Sequence, residues 1–304
     1  MAGWEAAEIA NLGDELDGLD ATIVQNEIMI AAENISVIPE LVRKINFAGV
    51  GLALKQPYMN ATEWSTTPLA EGAQMDQADI DVEDATSTIV KYTVDWPISL
   101  EAESYGAANA VQSAILDAGR GFSKLVSGLI HGKINDETDL DVTSTTALEP
   151  ADLVLAKQKM ITNAVPGPHC LVLHAEHWTD ILAGSSVTLT GLSNPEPFTS
   201  KMDSGYVGNY AGFETFICPY AVGTGVGASG TAAMSVFFSK SDGVRYVWKP
   251  TKLPAPASNG PMGVRIWWSD EWRSWCISGT HFGVGQVVRA AESNPWCGNL
   301  YLSA

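Results

Sequence analysis

Several short constellations in this chain have residue types and spacings that could carry chemistry. In His174-Ala175-Glu176-His177 a carboxylate stands beside two imidazoles. Zinc hydrolases use H-E-x-x-H or H-x-x-E-H, so that both rings meet one ion and the Glu reaches its water. Here the histidines are three apart, and His174 falls at the end of a predicted strand, so the rings need not converge. His174-x-Glu176 also matches the first half of a zinc-deaminase signature, but no P-C-x-x-C follows it. Polar residues at a strand-to-helix turn are the better reading, and a metal-dependent hydrolase is the remote alternative. No metal, cofactor or catalytic set is expected.

The glycines Gly225, Gly227 and Gly230 fit G-x-G-x-x-G, yet the following "TAAMSVFFS" is β-like where a dinucleotide fingerprint needs a helix. A hairpin tip is the expected structure. Asp79-x-Asp81-x-Glu83 resembles the start of a calcium loop, but Asp84 occupies the position that needs Gly and the closing Glu is missing. It reads as a solvated or partner-facing charge cluster. Trp267, Trp268, Trp272 and Trp275 alternate along two strands; aromatics at that spacing serve core and interface packing more often than stacking of a ligand. No G-x-S-x-G, S-x-x-K or P-loop occurs.

Composition narrows the function classes. With 17 bases against 35 acids, the net charge is −18, and the chain is a poor ligand for nucleic-acid phosphates, which need clustered Lys and Arg. It has no run of 18 apolar residues, hence no expected membrane helix, and its start has neither the basic nor the apolar region of a secretory signal. Cys170, Cys218, Cys276 and Cys297 lack C-x-x-C spacing and are expected as reduced thiols.

The elements that would carry these residues are uneven. Residues 56–90 hold seven acids (Glu63, Glu71, Asp76, Asp79, Asp81, Glu83, Asp84) and no Lys or Arg. Strand-like apolar residues flank the segment: Val50, Leu52 and Leu54 before it, Ile89, Val90, Tyr92 and Val94 at its end. This pattern predicts a long two-stranded arm with an acidic tip and no core of its own, marginal unless another surface supports it. A long helix is predicted next, with Ser99 as cap, Glu101 and Glu103 in the first turn, and Gly132 as its stop. Its apolar stripe is Val111, Ile115, Phe122, Leu125, Val126, Leu129 and Ile130. Gly106, Gly119, Gly121 and Gly128 weaken it, so packing must hold it.

Before the arm, Ile9, Leu12, Leu16, Leu19, Ile23 and Ile30 predict a short amphipathic helix with a flexible start. Beyond the long helix, residues 135–149 read as an acidic linker and Pro150 as a first helical residue. "CLVLH" reads as a buried strand, "AEHWTDILA" as a short helix, and residues 184–209 as loop. Strands are predicted at 214–217, 235–238 and 244–248, then a hairpin turning at Ser269-Asp270-Glu271. The class is α+β, with two principal helices and largely antiparallel sheet.

The order strand, arm, strand, long helix, with "PLAEGAQM" (Pro68 to Met75) in the arm, resembles major capsid proteins of tailed bacteriophages with the HK97-type fold. "GPHCLVLHAEHWTDILAG", "GNYAGFETFICP" and "GTHFGVGQVVR" resemble later segments of that family in the same order, so the likeness runs from about Val50 to Leu302. The resemblance implies an HK97-like capsid fold. Its parts would be an N-terminal arm (1–48), an E-loop arm with flanking strands (49–97), a P-domain with the spine helix (98–150), an A-domain (151–234), P-domain strands (235–280) and a closing A-domain segment (281–304).

What the resemblance implies about function is a structural protein, not an enzyme. It would self-assemble into pentamers and hexamers of an icosahedral shell around phage double-stranded DNA, in the virion, after assembly in the host cytoplasm. The implied partners are other copies, a separate scaffolding protein, a portal and a decoration protein, with no membrane and no sequence-specific DNA contact. An encapsulin-like nanocompartment shell is the alternative. Some members weld subunits through an arm lysine, which this arm lacks. Electrostatic docking is expected instead, with Glu71, Asp76, Asp79, Asp81, Glu83 and Asp84 meeting Arg120 and Lys124 of a neighbour.

Overall fold

The computed structural model describes residues 21–35, 37–59, 82–99, 110–137, 139–144, 147–183, 206–218, 234–240, 243–251, 261–271, 274–288 and 296–302. Helix α1 (Ala21–Ile35) and a short α2 (Ile38–Leu41) lead into β1 (Arg43–Asn46). The arm strands β2 (Ala53–Met59) and β3 (Val82–Thr88) follow, then β4 (Val90–Ser99) and the long helix α3 (Ala110–Asn135). After these come β5 (Val142–Ser144), α4 (Pro150–Thr162), β6 (His169–Leu173), α5 (Ala175–Ala183), β7 (Tyr206–Tyr210) and β8 (Phe213–Ile217). The chain closes with β9 (Met234–Ser239), β10 (Val244–Trp248), β11 (Met262–Ser269), β12 (Ser274–Val287) and β13 (Cys297–Leu302).

Two sheets form the body. One is ordered β1-β10-β12-β11 with β4 also on β12; the other is β5-β13-β9-β6-β8-β7. Inside the second sheet two strands are buried along their whole length, "HCLVL" in β6 and "MSVFFS" in β9. Continuous apolar runs of this kind belong between covered faces. Leu153, Ala156 and Met160 of α4 pack there with Leu171, Leu173, Phe213, Phe237 and Leu300. Helix α4 starts at Pro150, as the sequence predicts, and the Asp152 carboxylate accepts from the Glu149 N–H at 2.9 Å.

Helix α3 is held by Ile115, Phe122, Val126, Ile130 and Ile134, all buried in a core that includes residues of both sheets. Its 26 residues make a rod of about 39 Å. Helix α1 crosses it where residue 119 is glycine: a Cβ there would lie 2.6 Å from the Ala31 Cβ and 3.0 Å from the Ile28 carbonyl oxygen. A second tether runs from Gln25 Nε2 to the Met262 carbonyl at 2.5 Å.

Four expectations change. Ser99 is no helix cap; it ends β4, paired with Ser274, because the whole strand from Val90 registers on β12. Gly132 does not stop α3, which runs to Asn135 and so brings fully buried Ile134 into the core. On α1 the inward residues are Val24, Ile28, Ala31 and Ala32, whereas Ile23 and Ile30 are more than half exposed. The acidic linker also contains a strand, since Val142 to Ser144 pair in parallel with Leu300 to Leu302. Glu101 and Glu103 lie outside the described residues, as do the leucines at 12, 16 and 19, Ile9 and the glycines of "GVGASG".

Candidate assembly surface

The arm stands apart from both sheets. Among the described residues, strands β2 and β3 pair only with each other, from Ala53↔Thr88 to Met59↔Val82. Its root rests on a small core of Ile89, Val247 and Val284, with Ile45, Phe47, Leu54 and Phe282 around it. Past the root, β3 alternates between exposed and half-buried residues, with none fully buried. Glu83 accepts from the Tyr58 hydroxyl at 2.6 Å across the hairpin, and Asp84 is exposed opposite Pro57. Glu63, Glu71, Asp76, Asp79 and Asp81 lie outside the described residues.

Beyond the root, β4 shares β12 with the body, and its even-numbered side chains turn toward α3. Between that helix and the strands lies a cleft of about 460 Å³. Its floor includes Tyr92, Val94, Trp96, Phe122, Met262 and His281, and Arg120, Lys124 and Asp117 rim it along the helix. Arg120 and Lys124, one turn apart, are both exposed, and among the described residues neither is in an ion pair. Both bases line one cleft, and the described arm acids Glu83 and Asp84 are not joined to them within the chain.

The aromatic floor was not singled out from the sequence; the signal for it is the alternation Tyr92-x-Val94-x-Trp96 in a strand followed by an amphipathic helix. His281 sits at its inner end. Its Nδ1 contacts the Pro261 carbonyl at 2.6 Å and its Nε2 the Tyr246 hydroxyl at 2.9 Å. A carbonyl can only accept, so Nδ1 carries the proton and Nε2 accepts from Tyr246. Burial pulls the His281 pKa down to about 4, partly offset by the Pro261 bond. Phe122 meets the ring edge-on at 5.2 Å.

The His174 segment is built differently from a metal centre. His177 is fully buried with Nδ1 2.7 Å from Ser235 Oγ, which also accepts from the His174 N–H at 3.0 Å. The ring centroids are 6.4 Å apart and nearly perpendicular, and Glu176 points to solvent. Burial, then the adjacent His174, lowers the His177 pKa. Among the described residues no group of three or more His, Cys, Asp or Glu is placed to hold a metal ion. Trp268 and Trp275 pair across β11 and β12 at 5.6 Å edge-to-face, and Trp267 Nε1 donates to Ser278 Oγ at 2.7 Å. Trp272 lies outside the described residues. All four cysteines are buried and unbridged, and no described helix is long and apolar enough to cross a membrane.

No protein-family model matches the chain, and no curated protein matches it by sequence. Solved structures do match by shape. The capsid of Ralstonia phage GP4 superposes with a TM-score of 0.65 at 9% identity, over 87% of each chain. A chain of Mycobacterium phage Ogopogo gives 0.60 at 14% identity over 88% of this chain and 92% of that one. The mature capsid of bacteriophage PhiM1 gives 0.59 at 11% identity over 88% and 87%. At such identities what is shared is the fold, and it resembles the HK97-type fold of phage capsid subunits.

Proposed function

We propose that this chain is the major capsid protein of a tailed bacteriophage, a structural shell subunit whose copies form pentamers and hexamers of an icosahedral capsid around double-stranded DNA. The observation that carries the reading is the combination of a fold shared with phage capsid chains over nearly nine-tenths of the chain and an arm whose described strands form a separate two-stranded sheet. A thin hairpin is marginal alone, and closed symmetry lets every copy offer the same dock to the same arm. The division into N-terminal arm, E-loop arm, P-domain and A-domain segments belongs to this proposal, as do a scaffolding protein, a portal and a decoration protein as partners.

Within it, the acidic arm of one copy, Glu71 through Asp84, lies on the Arg120–Lys124 rim of a neighbour. Each exposed pair contributes only up to about 1 kcal/mol, but a shell repeats the contact in every subunit. The imaging test is direct. Negative-stain micrographs of the overexpressed chain, alone and with its phage's scaffolding protein, are expected to show closed particles of uniform diameter. Only unassembled protein in both preparations would refute the reading. Uniform particles that co-purify with an enzyme in place of DNA during infection would identify a nanocompartment shell instead.

A further inference from the structure

The chain enters the arm through Phe47-Ala48-Gly49-Val50-Gly51-Leu52. Gly51 has φ +100°, a conformation suited to glycine. Two glycines this close would ordinarily leave a free pivot, and Val50 between them is fully exposed. One side chain removes that freedom. Lys249 Nζ donates to the Gly49 carbonyl at 3.0 Å and to the Gly51 carbonyl at 2.7 Å, and it lies 5.6 Å from the centre of the Phe47 ring.

The lysine is itself anchored to the body. Its backbone N–H donates to the Phe282 carbonyl at 2.9 Å, while the Phe47 N–H donates to Trp248 at 2.8 Å, extending the β1–β10 ladder. The second arm strand is held separately: Gln286, 2% exposed, donates from Nε2 to the Ala85 carbonyl at 3.0 Å. Ile89 N–H closes the base on Leu52 at 2.7 Å. In a chain with 35 acids, no carboxylate pairs with Lys249 among the described residues; its donors go to backbone.

We propose that Lys249 is a positioning residue for the arm, clamping the Gly49–Gly51 turn so that the hairpin leaves the body in one direction and reaches its dock on a neighbouring copy. The proposal rests on the shell reading above. A clamp made once per subunit at the base of a long lever has leverage: a small change of angle at residue 51 becomes a large displacement at the tip.

The test uses the full chain carrying Lys249→Met, which keeps the aliphatic stem over Phe47 but cannot donate, beside Lys249→Arg and the unaltered protein. Hydrogen exchange is followed on unassembled protein in segments covering residues 47–56 and 84–90, and particles are imaged. In Lys249→Met the Ile89 amide is expected to exchange about tenfold faster or more, with the body unchanged. Closed uniform particles give way to open or irregular ones, and Lys249→Arg restores both readouts. Unaltered exchange overturns the clamp, and faster exchange with normal particles overturns the positioning role. Absence of particles from the unaltered protein, both alone and with the scaffolding protein, would instead count against the shell reading, with the exchange comparison still testing the clamp. If Lys249→Met aggregates, Lys249→Gln carries the same test. Failure of both to fold would overturn the proposal, because an arm clamp leaves the body's core intact.

Discussion

The six-stranded sheet and the arm are built from the same strand-forming residue types, and they meet opposite fates. In β6 and β9 every residue is buried, and both strands have neighbours on both edges. Among the described residues β2 and β3 have strand pairing only with each other, and Val82 of β3 stands exposed, as do Val50 and Leu52 just before β2. The sheet satisfies its backbone and apolar surface within one chain; the arm satisfies neither. A single copy thus contains a finished half and an unfinished half, and stability should reside in the first and assembly in the second.

The sharpest way to break that contrast is to damage the finished half. Phe237 is fully buried in one cluster with Phe213, Leu140 and Leu300, its ring centre 6.0 Å from that of Phe213, so truncation leaves a cavity. Phe237→Ala should cost about 3–5 kcal/mol in chemical denaturation and abolish particles by unfolding the subunit.

Acid should act on the same half. Burial holds the His131 pKa at about 4, with the Met234 backbone favouring the proton and His174 disfavouring it, and His281 is held near the same value. Both folded pKa values lie below the ordinary 6.5, so the neutral rings stabilise the fold above pH 6.5. That contribution is lost as pH falls toward 4, on the order of 3 kcal/mol per histidine. Glu137 and Asp141, whose carboxyls burial pushes up, work in the opposite sense but are only half-buried. Melting curves between pH 7 and pH 4 should therefore shift to lower temperature as acid is added; a flat or rising profile would show that these histidines do not matter.

Gly119→Ala probes the helix crossing. The added methyl overlaps Ala31 and the Ile28 carbonyl, so denaturation should show a loss of about 1–3 kcal/mol even though alanine is the better helix former. Reversing Arg120 and Lys124 to Glu is the smallest change for stability, within about 0.5 kcal/mol. It should still reduce particle yield, more so at low salt, where repulsion of the acidic arm is least screened. Normal yield at low salt would remove this pair from the interface.

Legibility in the sequence followed the same division. Strand β10 falls on Val244 to Trp248, as its pattern predicts, and Pro150 opens α4, because local chemistry decides both. Where two faces of α1 were equally apolar, spacing could not choose: Ile23 and Ile30 lost to Val24 and Ile28 once Gly119 let α3 approach the second set. Ser99 carries a good cap side chain, yet pairing along β12 takes the residue into a strand. Arg120 and Lys124 are proposed from charge and helical spacing, whereas the cleft floor and Lys249 depend on segments more than 100 residues apart meeting in space.

Sedimentation velocity of the intact chain beside one in which residues 60–81 are replaced by a short turn tests most directly whether copies complete this subunit. The intact chain should run as particles of many copies, and the shortened chain as a single folded copy with an unchanged melting temperature. An intact chain that stays a compact single copy at high concentration even with the scaffolding protein present, or a shortened chain that loses its fold, would contradict the account.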